Sequence, residues 1–427
     1  GSTDNVFLGY QAGGGTWANA ACTHNIGIGN YVMDAALNGA LANTALGYNS
    51  LSALTTGDYN TSIGAHSMTA LTTGAANIGL GVNALNVHTT GDKNIAIGNN
   101  AMYNTDAGST SLGSTENIFI GYEAGGGTWA DAASNYNVGI GNNVMDAAMN
   151  GAGANVAIGH YAMSSLTTGD DNTSVGHQAG YNITTGEDNI AIGKNAMLVH
   201  TTGLRNTVVG TNAMDDTNAG STSLGSVDNI FMGFDAGGGT WADAASNENV
   251  AIGNYAMDAA LNGALRNIAI GHLALTTLTS GDYNQAIGYS ALATVSTGGS
   301  NTAIGHEAGF NISSGGSNVA MGYHAGYNLQ TGVYNVHIGV QAGYGAASNS
   351  ANTNTFVGYQ AGYDVTTGSN NVALGGSALV NLTSGGDNVV IGNQAGDALT
   401  TTSNVVLVGR NAGGAINSAD ADGTVAV

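Results

Sequence analysis

The phrase N-x-x-x-G recurs along the whole chain at nearly fixed spacing, and this recurrence limits the possible folds more than any other feature. Anchored on its Asn, it occurs in 22 strict copies, from Asn5 and Asn25 to Asn371 and Asn388. A further copy at Asn404 carries one extra residue before Gly409. Anchors most often stand seventeen apart, and one series of spacings (20, 18, 17, 17, 17, 23) occurs twice in succession, so that Asn5, Asn117 and Asn229 each open a long repeat. Unusual segments keep that long period. GGGTWA begins at Gly13, Gly125 and Gly237, and STSLGS at Ser109 and Ser221. The chain therefore reads as one continuous array over 1–427, with long repeats 5–116, 117–228 and 229–340 and less regular coils over 341–427.

Each column of the short repeat has a restricted chemistry. The third residue after the anchor is a long apolar one in every strict copy, as in Leu8, Ile28, Leu46 and Ile63, and the fourth is always Gly. The second is usually Ala, Ser or Gly, the seventh mostly Ala, and the eighth Leu, Met or Gly. The eleventh is often aliphatic (Leu54, Leu71, Leu166, Ile183, Leu382), and a Thr-Thr-Gly turn precedes the next anchor. Short runs of β-branched residues bounded by Gly and Thr-Gly turns predict strands. A helical reading fails on the 70 glycines, because each interior Gly costs about 1 kcal/mol relative to Ala.

One strand unit per short repeat, with chemically equivalent positions recurring, predicts an all-β parallel β-solenoid in which successive coils stack at roughly 4.8 Å. Equivalent residues then form ladders: Asn94, Asn117, Asn189 and Asn267; Ile97, Ile120, Ile192 and Ile270; Gly98, Gly121, Gly193 and Gly271. In this register Ile97 lies beside Leu80 and Ile120. Buried amides would bond from coil to coil, and the Gly corner needs positive φ or close backbone approach. The lack of Pro fits, since Pro deletes a ladder hydrogen bond.

Charge excludes several function classes. The formal net charge is −22, and the only basic residues are Lys93, Lys194, Arg205, Arg266 and Arg410, so no basic patch exists to meet nucleic acid or anionic lipid. No apolar run reaches the roughly 18 residues that span a bilayer, and no membrane insertion is expected. Cys22 is the single cysteine, and Ser134 and Ser246 stand one and two long periods later, so it reads as a tolerated variant.

Three or four apolar side chains per coil, several of them Ala, are little volume against the ordering entropy of a whole coil. Self-association would supply further burial, and three-fold winding is a natural solution. Small residues at the second position (Ala96, Ala157, Ala191, Ala251, Ala303) allow close approach across such an interface or inside a narrow coil.

The phrases NIAIG, NVAIG and NTAIG, followed by Ala and a Thr-Gly turn, resemble the head repeats of trimeric autotransporter adhesins and the repeats of phage tail fibres and related bacterial surface fibres. The resemblance covers nearly the whole chain. It implies a homotrimeric, left-handed β-roll used in attachment, outside the cell, on a virion tail fibre or a cell surface. The chain departs from adhesin heads in having longer coils and periodic insertions.

Candidate chemistry is sparse. A fifth-position column of His160, His177, His272 and His306 alternates with Tyr10, Tyr48, Tyr122, Tyr289, Tyr323 and Tyr359, and reads as a stacked exposed ridge; Tyr122, Tyr323 and Tyr359 are candidate glycan or receptor contacts. His88 and His200 take eleventh-position slots that are otherwise aliphatic and read as hydrogen-bonded core. Trp17, Trp129 and Trp241 lie in the long intervals that follow Asn5, Asn117 and Asn229, and each either folds back over a solenoid edge or offers a binding platform. Acidic residues precede the anchor (Asp58, Asp92, Asp170, Asp171, Glu187, Asp188, Asp282, Asp387) and read as turn charge, with calcium the one cofactor they could hold. Asp420-Ala-Asp422-Gly423 lacks the later Glu of an EF-hand, and the glycines form neither a phosphate loop nor a dinucleotide fingerprint.

These readings converge on a non-enzymatic structural and adhesive fibre segment, with itself and a cell-surface glycan or protein as partners. Two other classes are an ice-binding solenoid using Thr ranks (Thr55-Thr56, Thr72-Thr73, Thr89-Thr90, Thr201-Thr202) and a carbohydrate-active solenoid. Both ends align within coils, so the sequence is expected to be an excerpt of a longer fibre.

Overall fold

The computed structural model describes residues 1–105, 113–216, 225–242, 244–346, 349–416 and 422–427; the STSLGS starts at Ser109 and Ser221, and Asp420, lie outside them. The chain forms two compact units, Gly1–Thr211 and Asn212–Val427. Each is an all-β parallel solenoid of about 17 residues per turn, with no helix among the described residues. The first carries β1 (Val6–Leu8) to β12 (Thr207–Val209) and the second β13 (Ile230–Met232) to β24 (Val425–Ala426), numbered in chain order.

Each turn contributes one short strand, on the first three residues after the anchor. Within each unit a strand pairs in parallel with the strand one turn away: Ala96 faces Gly79 on one side and Phe119 on the other. Ile97 pairs with Leu80 and with Ile120, the expected register. The ladder does not stop at the strand ends. In the turns Met68, Ala70 and Thr72 donate their N–H groups to Ala84, Asn86 and Thr89 at 2.8, 3.0 and 2.9 Å.

A turn with a single short strand must close tightly, and it does so through left-handed residues at the sixth, eighth and sixteenth positions. In one turn these are His66 (φ 57°), Met68 (49°) and Ala76 (59°). Such angles are uncommon outside Gly and Asn. They explain why the eighth position is so often Gly and why the rest of the turn must be held by many ladder bonds.

The fourth-position Gly meets both demands expected of it. Gly98 has φ 138°, and a Cβ there would sit 2.2 Å from the carbonyl oxygen of Gly121, the same position one turn on. Gly121, Gly193 and Gly271 repeat the pattern.

The interior is built from the anchor Asn and the second, seventh, eighth and eleventh side chains. Ala96, Ala101 and Met102 are all fully buried. So are Ala157, Ala191, Ala251 and Ala303; the small second residues therefore serve the narrow coil interior. Bulk at the second position is matched by Gly at the eighth: Phe7 with Gly13, Phe119 with Gly125, Phe231 with Gly237, His337 with Gly343 and Phe356 with Gly362. A Cβ on Gly125 would lie 2.8 Å from the Phe119 ring, and one on Gly362 2.4 Å from Phe356.

The repeat at Asn404 differs from the sequence reading. No residue is inserted: Val405 occupies the anchor slot, fully buried, and donates its N–H to Asn388 Oδ1 at 3.0 Å. Asn404 takes the left-handed position before it (φ 59°).

Candidate functional site

The anchor Asn residues form a buried amide spine. Asn94 donates its backbone N–H and its Nδ2 to Asn77 Oδ1 at 2.9 and 3.1 Å, and Asn94 Oδ1 accepts the same two groups of Asn117, both at 3.1 Å. The other Nδ2 proton lies between the Ser114 carbonyl, at 2.9 Å, and His88 Nε2, at 3.1 Å. Asn189 and Asn267 repeat the scheme, closing on the Gly203 and Gly281 carbonyls at 2.8 and 2.9 Å. Every polar valence of the buried side chain is thereby used, which is what allows an amide to stand in a core.

The first and third residues of each strand point outward, opposite to the buried second residue, as strand alternation requires. The ladder of Ile97, Ile120, Ile192 and Ile270 is thus on the outside of the coil, with Ile192 39% and Ile270 38% exposed. Beside it runs the first-position column, of Ile, Val and Thr with one Gln. In each unit the two columns form a largely apolar face that carries no charged residue, although the chain has 27 acidic side chains.

The aromatic ridge is present. His160 stacks on His177 at 5.4 Å, and His272, Tyr289, His306 and Tyr323 follow one another at 5.6, 4.8 and 5.4 Å between ring centres. Tyr122, Tyr323 and Tyr359 are exposed. A second staircase stacks Phe310, Tyr327, Tyr344 and Tyr363 at 5.2, 5.1 and 5.0 Å, with successive rings tilted by only 6 to 7°. It was missed in the sequence because the ninth position is aromatic in only some turns. In both stacks the ring faces are largely turned to one another.

Two of the three tryptophans correct the reading of them as surface contacts. Trp129 and Trp241 are fully buried and pack edge-on against Phe119 and Phe231 at 5.9 and 5.7 Å. Trp17 is half-buried and meets Phe7 in the same way at 5.8 Å. Trp17 and Trp241 donate Nε1–H to the Gly13 and Gly237 carbonyls at 3.0 Å. The longer turn encloses more space, and the indole fills it.

His88 and His200 are buried as expected. His88 Nε2 accepts from Asn94, so Nδ1 carries the proton toward Thr105 Oγ1, 3.1 Å away; burial pushes its pKa down to about 4. His337 is a third buried histidine, stacked on Phe356 at 5.2 Å, and burial lowers it to about 4 as well. Its signal in the sequence is VHIG, where the copies at Asn155 and Asn249 read VAIG.

The acids before the anchor do more than carry turn charge. Asp58, Asp92, Asp170 and Asp282 each accept a backbone N–H from the preceding turn, from Leu41, Ala75, Gly153 and Leu265, at 2.6 to 2.8 Å. A different acidic group was not apparent in the sequence: Asp215 and Asp258 are half-buried, and desolvation, with Asp235 nearby, raises each to about 6. The Thr ranks spend hydroxyls internally, Thr55 on the Thr72 carbonyl and Thr72 on that of Thr89, both 3.1 Å. Cys22 is buried and its sulfur accepts the Gly39 N–H at 3.2 Å, as Ser134 Oγ accepts that of Gly151 at 3.1 Å, so the thiol fills a hydroxyl's place.

Two concave features among the described residues are small. One open depression of about 230 Å³ is lined by Tyr136, Asp170 and Asp171 among others, and another of about 310 Å³ by Tyr103, Glu123 and Asp146. Both lie at or below the low end of ligand-pocket size. Among the described residues no helix is long and apolar enough to cross a membrane. In comparisons with known proteins, no family model matches the chain and no curated protein matches it significantly.

Proposed function

We propose that the chain is a non-enzymatic fibre segment that self-associates, as a homotrimer, through the uncharged apolar face of its strand ladders, and serves attachment at a virion tail or a cell surface. The observation that carries this reading is the face itself: in each unit, two outward columns of Ile, Val, Leu, Met and Thr, interrupted only in the second unit by Gln285, with the acidic residues confined to the turns. Apolar patches of such extent mark association surfaces in soluble proteins. An exposed β-branched ladder next to strongly negative turns also favours a partner that buries the ladder and leaves the turns wet. A repeated ridge of exposed Tyr and His would then be presented on the outside in several copies, suited to weak multivalent contact with a glycan or protein receptor.

Sedimentation equilibrium of the intact chain tests the reading. The expected mass is three times 42.1 kDa. A double substitution of outward residues, Ile158→Glu with Ile192→Glu, is expected to yield monomers whose far-UV circular dichroism is unchanged. A wild-type monomer at micromolar concentration, or a variant that still trimerises, would sink the proposal.

A further inference from the structure

We propose that His306, Glu307 and His324 form a binding site for a divalent transition-metal ion of the zinc type, which clips one solenoid turn to the next. Donor atoms of the three side chains all lie within 4.8 Å of one another. His324 Nε2 stands 2.7 Å and His306 Nδ1 3.9 Å from the same carboxylate oxygen, Glu307 Oε2. Among the described residues this is the one place where three such groups converge.

The fold accounts for the convergence. Glu307 and His324 hold the same position in successive turns, so the parallel ladder sets them side by side. Both are left-handed, with φ of 52° and 53°, and this kink brings Glu307 round beside its sequence neighbour His306. The neighbouring turns carry Ser290 and Gln341 in that column, so the acid and imidazole meet only here.

The donor set suits a borderline ion. Two imidazoles and one carboxylate are the ligands zinc takes, and three protein ligands leave a fourth position for water. With metal–ligand bonds near 2.0 to 2.1 Å, donors around a tetrahedral ion stand roughly 3.3 Å apart. The closer pair, His324 with Glu307, must therefore open slightly and the wider pair, His306 with Glu307, close slightly, and since all donors lie within 4.8 Å no pair has to close by more than about 1.5 Å. A second observation points the same way. His324 Nε2 is buried and, although 2.7 Å from Glu307 Oε2, forms no aligned hydrogen bond, so no protein group satisfies this nitrogen in hydrogen-bond geometry. The ring is held in place by Tyr323 at 3.8 Å and Tyr327 at 4.8 Å between centres. Tyr289 stacks on His306 at 4.8 Å. The chain's net charge of −22 favours any cation.

Zinc chloride titrated into the chelator-treated intact chain, against a chromophoric competitor, tests the assignment. One tight equivalent per chain is expected, together with a rise in thermal midpoint. Loss of a ligand costs at least the roughly tenfold seen when a residue that merely hydrogen-bonds a ligand is removed, so Glu307→Gln and His324→Gln should each weaken binding by that factor or more and remove the thermal shift. His160→Ala with His177→Ala, at the other stacked pair, should leave the tight equivalent intact. Circular dichroism checks that each variant is folded. Zinc binding equally tight in Glu307→Gln, loss of the tight equivalent in the His160 and His177 variant, or no saturable zinc binding at all would each overturn the site.

Discussion

Replacing one interior member of the amide spine, Asn172→Ala, separates a structural spine from a merely repeated residue. Asn172 Oδ1 accepts the backbone N–H and the Nδ2 of Asn189 at 3.0 and 3.1 Å, and its own Nδ2 donates to the Gly186 carbonyl at 2.8 Å. Truncation leaves two donors and one acceptor unpaired in the interior. Asn155 Oδ1 is spared, because the backbone N–H of Asn172 still reaches it at 3.0 Å. At about 1 to 3 kcal/mol for each buried orphan, and allowing for relaxation, the loss is roughly 3 to 6 kcal/mol. It should be local, since each turn touches only its neighbours and the array need not unfold as one unit. Hydrogen exchange read by mass spectrometry is therefore the assay. Amides of the turns from Asn155 to Asn206 should exchange on the order of a hundredfold faster or more, at about 1.4 kcal/mol per factor of ten, while distant turns stay protected. Asn182→Ala, which removes only a weak 3.5 Å side-chain bond from Ser165, serves as the surface control. Exchange in Asn172→Ala no faster than in that control would refute the idea that the spine holds the turns together.

Gly98→Ala places a methyl 2.2 Å from the Gly121 carbonyl at φ 138°, so it should cost more than about 3 kcal/mol and appear as loss of soluble folded protein on expression; wild-type thermal stability would contradict it. In the first unit, His88 binds fewer protons folded than unfolded between its ordinary value of 6.5 and its folded value of about 4. Its stability is therefore complete above pH 6.5 and is lost as pH falls toward 4, by about 3 kcal/mol, and a His88→Leu variant should lack that slope in exchange measurements. In the second unit His337 acts in the same direction, whereas Asp215 and Asp258, raised to about 6, hold extra protons when folded and favour acid; two such carboxylates against one imidazole should flatten or reverse the slope there. Acrylamide should quench Trp17 and leave Trp129 and Trp241 largely shielded; equal quenching of all three, resolved with single Trp→Phe variants, would contradict the packing.

Columns with one physical duty were legible in the sequence. Asn at the anchor and Gly at the fourth position each serve both hydrogen bonding and close approach, so they recur turn after turn, with Val405 in the anchor slot as a departure, and the register of Ile97 against Leu80 and Ile120 followed. Columns whose duty depends on enclosed volume were less so. The eighth position alternates among Leu, Met and Gly, which looks like tolerance until Phe119 is seen lying over Gly125. The same dependence hid the tryptophans: extra residues in an interval read as a surface loop, yet in a closed turn they enlarge the interior, and Trp129 occupies the added space. The grouping of His306 with Glu307 and His324 escaped notice for another reason. A strand reading sends sequence neighbours to opposite faces, and only the left-handed kink at the sixth position sets His306 beside Glu307.

The outward direction of the third-position ladder has a geometric cause with consequences for assembly. A turn with a single short strand of three positions sends one strand side chain inward and two outward. The inward slot faces the seventh, eighth and eleventh side chains and the Asn spine across a narrow lumen, so it takes Ala, Gly or Ser in most turns and Phe only where the eighth residue is Gly. The interior is filled without the third-position Ile, and burial inside the coil therefore gives no reason for that column to be apolar in every strict copy. Strand propensity alone explains β-branching but not the absence of charge, since Thr would serve as well and does appear at the first position, in Thr44, Thr61 and Thr173. On the proposed assembly, the requirement acts from outside the coil. A second copy of the same face, in register along the ladder, is the simplest surface that would meet it, and the mass of the Ile158→Glu, Ile192→Glu variant decides whether it does.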